Sequence, residues 1–158
     1  MSKPRARQPA LSGISGYETS IPRCIVAVAL VVLGIVWIAV YINLAMDYAH
    51  WVKGSGLAKP SNPIPLMADL KDWNFLIGFG LVFLGLIVAA DKRTPLGRGR
   101  GVVIGMLGCF LIGLVWVVVF YFVGAGTHIP LMRSLGQKNL LLGVAFMAVG
   151  FAYATKWE

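Results

Sequence analysis

Four runs without a charged residue constrain this chain more than any other feature of it. Ile25 to Met46 holds one strongly polar residue, Asn43, and Val102 to Val123 holds none. Asn74 to Ala90 and Asn139 to Ala154 are shorter, equally uncharged, and extended toward the interfaces by Trp73 and Trp157. A bilayer core takes about 20 helical residues, within a range of roughly 17–25. Inside lipid a helix satisfies its own peptide groups, whereas an open strand leaves them bare. The expectation is an all-α membrane protein with four transmembrane helices. Charged residues make up 13% of the chain, about half the roughly 25% of a soluble domain, as suits a chain solvated largely by lipid. The first run exceeds the ~7–15 residues of a signal-peptide core and lacks a small-residue cleavage site after it, so it reads as retained.

The basic residues set the orientation, because short cytoplasmic loops collect Lys and Arg. Lys3, Arg5, Arg7 and Arg23 precede the first run, Lys92, Arg93, Arg98 and Arg100 separate the second from the third, and Lys156 follows the fourth. The opposite side has Lys53, Lys59, Lys71, Arg133 and Lys138, diluted by Asp47, Asp69 and Asp72. Both termini are therefore expected in the cytoplasm. The net charge of +8 follows from this arrangement and calls for no nucleic-acid partner.

The chain also repeats itself, a feature that decides architecture wherever it occurs. Leu33-Gly-Ile-Val-Trp37 reads against Ile112-Gly-Leu-Val-Trp116 at a shift of 79, and Ile64-Pro-Leu-Met67 against Ile129-Pro-Leu-Met132 at a shift of 65. At the second shift Leu70, Asn74, Leu76, Gly78, Gly85 and Ala89 meet Leu135, Asn139, Leu141, Gly143, Gly150 and Ala154. The difference, 79 minus 65, places 14 extra residues in the first outer loop, where Gly, Pro and Ser cluster around 54–62. Two helices per copy mean that both copies enter the membrane the same way. The expected organisation is a basic, disordered tail over 1–23, a two-helix repeat over 24–93, a basic linker over 94–101 and a second repeat over 102–158. This is a pair of parallel hairpins, without the inverted, broken helices common in secondary transporters.

Asn74, Gly78, Gly85 and Ala89 share one helix face, as do Asn139, Gly143, Gly150 and Ala154. Gly34 with Trp37, and Gly113 with Trp116, form matching notches in the first helix of each copy. Small residues let helices approach closely in lipid, and Asn can bond across the contact. These positions read either as packing within the hairpins or as docking sites for a partner's helix. Gly101 and Gly105 form a further GxxxG, weak by itself. Each Trp lies deeper than a headgroup-level anchor, so its ring is expected in a helix contact with an acceptor for its N–H. Lys92, Arg93, Arg98 and Arg100 serve as a positive-inside anchor, or as a contact for anionic lipids or an acidic partner.

Catalytic readings lack parts. No ionisable side chain other than Cys or Tyr lies within the four runs, so a proton relay has no carboxylate to use. His50 and His128 lack further ligands at metal spacing, and Ser134 has no base partner. Cys24 and Cys109 read as free thiols. No enzyme activity, cofactor or metal is expected; a small four-helix transporter or channel is the alternative to a scaffold.

Ile112-Gly-Leu-Val-Trp-Val-Val-Val-Phe-Tyr121, followed by Asn139, Gly143, Gly150 and the terminal Thr155-Lys-Trp157, resembles the CrgA family of actinobacterial cell-division membrane proteins. The first copy is similar through Gly34, Trp37, Trp73-Asn74 and Ile77-Gly-Phe-Gly80. Family members are typically a basic tail and one hairpin, whereas this chain has two. Lys138 stands where the first copy has Trp73, and Lys92-Arg93 replaces the basic-Trp ending. The resemblance implies a non-enzymatic scaffold or regulator of the septal complex in the inner membrane, coordinating septum assembly with peptidoglycan synthesis. Its implied partners are septal peptidoglycan synthases, an FtsQ-like protein and, on the cytoplasmic side, FtsZ.

Overall fold

The computed structural model describes residues 18–51, 56, 58–61, 64–123 and 129–156. The expectations for most of the basic tail, for Lys53, for His128 and for Trp157 lie outside these residues. Among the described residues every regular element is helical. α1 runs from Ile21 to Ala49, α2 from Pro65 to Leu70, α3 from Trp73 to Ala89, α4 from Arg100 to Val123, α5 from Pro130 to Leu135 and α6 from Lys138 to Ala154. A 3₁₀ turn, Pro95–Gly97, lies between α3 and α4. α1 and α4 are long and apolar enough to cross a membrane; α3 and α6 are apolar helices of 17 residues.

Proline marks three of the helix starts. Pro22, Pro65 and Pro130 occupy the first turns of α1, α2 and α5, where the missing N–H costs nothing and the fixed φ suits a helix. α1 thus begins within the stretch read from sequence as tail. Near its far end the helix loosens into a π turn, Tyr41–Ala45, where Asn43 Nδ2 donates to the Ala39 carbonyl at 2.7 Å. A side chain competing for an i−4 carbonyl is a recognised disturbance of helical bonding.

Two antiparallel hairpins result, α1 with α3 and α4 with α6, and they meet through α3 and α6. The buried positions of α1, namely Ala27, Gly34, Ile38, Tyr41 and Ala45, follow a three-four-seven spacing that keeps one seam against α3. One core cluster spans both hairpins. It joins Ile38, Tyr41, Phe75 and Val82 of the first to Leu135, Leu142 and Phe146 of the second, with Trp37 and Trp116 packed against it. Edge-to-face ring pairs lie within it, Tyr41–Phe75 at 5.2 Å and Phe83–Phe146 at 4.9 Å, a geometry worth about 0.5–1.5 kcal/mol each beyond burial. The outward faces of α1 and α4 are rows of exposed Ile, Leu and Val.

Candidate interaction site

The glycines of the two stripes are where the backbones touch. A Cβ on Gly34 would stand 2.5 Å from the Gly78 carbonyl oxygen and 3.0 Å from the Val82 nitrogen. A Cβ on Gly113 would stand 2.5 Å from the Gly143 carbonyl oxygen and 3.0 Å from the Met147 nitrogen. Gly78 faces Ile38, and Gly143 faces Val117; Gly85 faces Ala27 and Val31, and Gly150 faces Met106 and Phe110. Every partner in the second hairpin follows from its counterpart in the first by the same two shifts, 79 and 65, that align the sequence. The duplication is therefore one contact geometry built twice.

Asn74 and Asn139 take a different role from the cross-helix bond expected of them. Both are fully buried. Asn74 Nδ2 donates to the carbonyls of Met67, at 2.7 Å, and Lys71, at 2.8 Å. Asn139 Nδ2 donates to Met132 and Gly136 at the same two distances. Each Asn thus fastens a short helix, α2 or α5, to the long helix that follows it. The chain reverses between them at Lys71, φ 45°, and at Gly136, φ 50°, a region that favours glycine. The indole N–H groups of Trp37 and Trp116 are buried with no hydrogen-bond partner among the described residues, so their contribution is ring packing.

The basic segment between the hairpins is a folded turn. Thr94 is buried; the carbonyls of Ala89 and Asp91 share its single hydroxyl proton, and its oxygen accepts from the Gly97 N–H at 3.2 Å. Gly101 packs so closely on Pro95 that a side chain there would overlap the Pro95 carbonyl. Asp91 organises the surroundings. It accepts from the Arg93 backbone N–H at 2.8 Å and pairs with Arg23 of α1 at 2.5 Å. The first of these, reinforced by Arg23, holds its carboxyl below the usual carboxylate range. Ser20 N–H donates to the Arg93 carbonyl, and Arg98 donates to Thr19. Of the four basic residues singled out from sequence, Arg98 faces the start of α1, Lys92 is half-buried, and Arg93 and Arg100 are exposed. Neither Asp91 nor Thr94 was singled out from sequence; an acid beside Lys-Arg and a Thr before Pro are the signals that point to such a turn.

At the opposite end, Asp72 lies between His50 at 3.3 Å and Lys138 at 3.0 Å. The bond from Lys138 is the larger of the effects holding the Asp72 carboxyl low, and His50 adds to it. Beneath this cluster a cavity of about 580 Å³ opens between α3 and α6, lined mainly by Phe75, Phe79, Phe83, Leu142 and Ala145. Among the described residues no group of three metal-ligating side chains comes together.

Comparison with known proteins supplies the context. The family model for cell division protein CrgA matches residues 6–93 and again 91–158. A cell division protein CrgA of Mycobacterium avium is 34% identical over 80 residues, 45% of this chain and 86% of that protein. One from Streptomyces avermitilis is 42% identical over 53 residues, 34% of this chain, and the match spans only 60% of that relative's length. One from Mycobacterium leprae is 38% identical over 56 residues, 33% of this chain and 60% of the relative. No solved structure matches. With the family pattern present twice along its length, this chain belongs to the CrgA family of cell division proteins.

Proposed function

We propose that the protein is a non-enzymatic membrane scaffold that regulates the septal complex and couples septum assembly to peptidoglycan synthesis. The observation that carries this reading is the double match to a cell division family, on a chain whose repeated residues are spent on helix contacts. α1 and α4 supply two membrane crossings. α3 and α6 supply two more: 17 residues each span about 26 Å at 1.5 Å per residue, close to the ~30 Å hydrocarbon core. The end bearing Arg23, Arg93, Arg98 and Arg100 then faces the cytoplasm with both termini, in keeping with the preference of basic loops for that side. Cysteines introduced at Ser61 and Gly99, both exposed, would be labelled from outside and from inside respectively; outside labelling at position 99 contradicts this topology.

Septal peptidoglycan synthases and an FtsQ-like protein are the partners in the membrane, through the outward faces of the hairpins. FtsZ and anionic lipids are the partners of the basic turn. Affinity purification from mild detergent, with quantitative identification of co-purifying membrane proteins, tests the reading. Enrichment of septal synthases is expected; recovery of abundant bystanders alone contradicts it.

A further inference from the structure

Three side-chain contacts between the two hairpins fall where the two copies differ. Under the shift of 65, Trp73 corresponds to Lys138, Asp72 to Gln137, Leu81 to Phe146, Phe83 to Ala148 and Val88 to Tyr153. Across the α3–α6 contact Lys138 pairs with Asp72 at 3.0 Å, Phe146 meets Phe83 at 4.9 Å, and the Tyr153 hydroxyl donates to the Leu86 carbonyl at 2.8 Å. In the ion pair and the ring pair neither residue could be replaced by its own counterpart, and in the third contact Tyr153 has the hydroxyl that Val88 lacks.

Consider the same interface built from two identical hairpins. Two first hairpins would set Asp72 opposite Trp73 and Phe83 opposite Leu81, with Val88 in place of the tyrosine donor. Two second hairpins would set Lys138 opposite Gln137 and Phe146 opposite Ala148. The ion pair and the ring pair disappear in both cases. Within each hairpin the reverse holds: the Gly34–Gly78 and Gly113–Gly143 contacts are alike to within a few tenths of an ångström. Selective change at the shared face, with the internal seams retained, is how an interface discriminates between near-identical partners.

We infer that the α3–α6 face is specified for pairing of the first hairpin with the second, in one chain, and against pairing of either with its own kind. The departure of Lys138 from the Trp of the first copy then has a definite use, as the cation that recognises Asp72. This inference does not depend on which septal proteins the chain binds.

Leu76 and Leu141 provide the test, being equivalent positions that line the same cavity between α3 and α6. In a full-length background with Cys24→Ser and Cys109→Ala, cysteines replace Leu76, Leu141 or both. A short bifunctional thiosulfonate is applied to native membranes and the products are read by intact mass. The double variant is expected to become bridged within one chain, while both single variants stay monomeric. Lys138→Asp in the double variant should slow bridging by up to about fivefold, the ceiling for a part-exposed ion pair, and adding Asp72→Lys should restore it. Covalent dimers through either single cysteine, or a bridging rate unmoved by Lys138→Asp, would overturn the inference.

Discussion

Gly34 rests directly on the carbonyl of Gly78, with 2.5 Å between that oxygen and the place a Cβ would occupy. The obstacle is backbone on a neighbouring helix, so no rotamer change relieves it. Gly34→Ala and Gly113→Ala must push α1 from α3, or α4 from α6, at a cost of about 1–3 kcal/mol. Gly80 and Gly108 have nothing within 4 Å of an added Cβ. Gly80→Ala and Gly108→Ala should therefore be neutral or stabilising by up to about 1 kcal/mol through reduced backbone freedom. Thermal unfolding in detergent separates the two classes; equal effects in both would remove the close-packing account.

The matching turns carry an asymmetry that can be exploited. Lys71 adopts φ 45° and ψ −126°, and Gly136 adopts φ 50° and ψ −128°, yet only the second turn has the residue that does so without strain. A non-glycine residue held in such a conformation costs on the order of 1–3 kcal/mol. Lys71→Gly should raise the unfolding temperature, and Gly136→Ala should lower it although open space surrounds that position. A lower unfolding temperature for Lys71→Gly would contradict this assignment.

Asp72 makes stability respond to acid in a fixed direction. Lys138 and His50 hold its carboxyl below the ordinary 3.8, so the folded state binds its proton less readily than the unfolded chain does. The stabilisation is present in full above the unfolded value and is lost as pH falls through the lower folded value. Because Asp72 and Lys138 are about half exposed, screening keeps the effect small. Unfolding measured between neutral pH and pH 3 should show Asp72→Asn as less stable than the parent near neutrality and converging with it in acid. A gap that widens in acid is the opposite of what the pair requires.

The repeat was the part of this architecture most open to reading from sequence. Gly34, Gly78, Gly113 and Gly143 recur because close backbone approach admits one residue type, and a single residue type leaves a legible trace. The long apolar helices were legible because charge is excluded along them; α1 and α4 start a few residues before the uncharged runs, with Pro22 and Arg100 in their first turns. Asn74 and Asn139 were recognised as repeated, but their bonds run back seven residues to Met67 and Met132. Nothing in helix-face geometry favours that choice over a cross-helix bond; it depends on α2 and α5 folding back first. The pairing of Lys138 with Asp72 joins residues 66 apart on different hairpins, and periodicity within one helix carries no record of it.

Localisation in living cells tests the central claim most directly. A fluorescent protein fused at the amino terminus, expressed from the native locus, should form a band at midcell that assembles with the septum and disperses after division. A parallel fusion bearing Trp37→Leu and Trp116→Leu, which keeps hydrophobicity while removing the two rings from the shared core, should reach the membrane at normal level with a weakened band. Uniform envelope fluorescence from the unaltered fusion throughout the division cycle would contradict a septal scaffold.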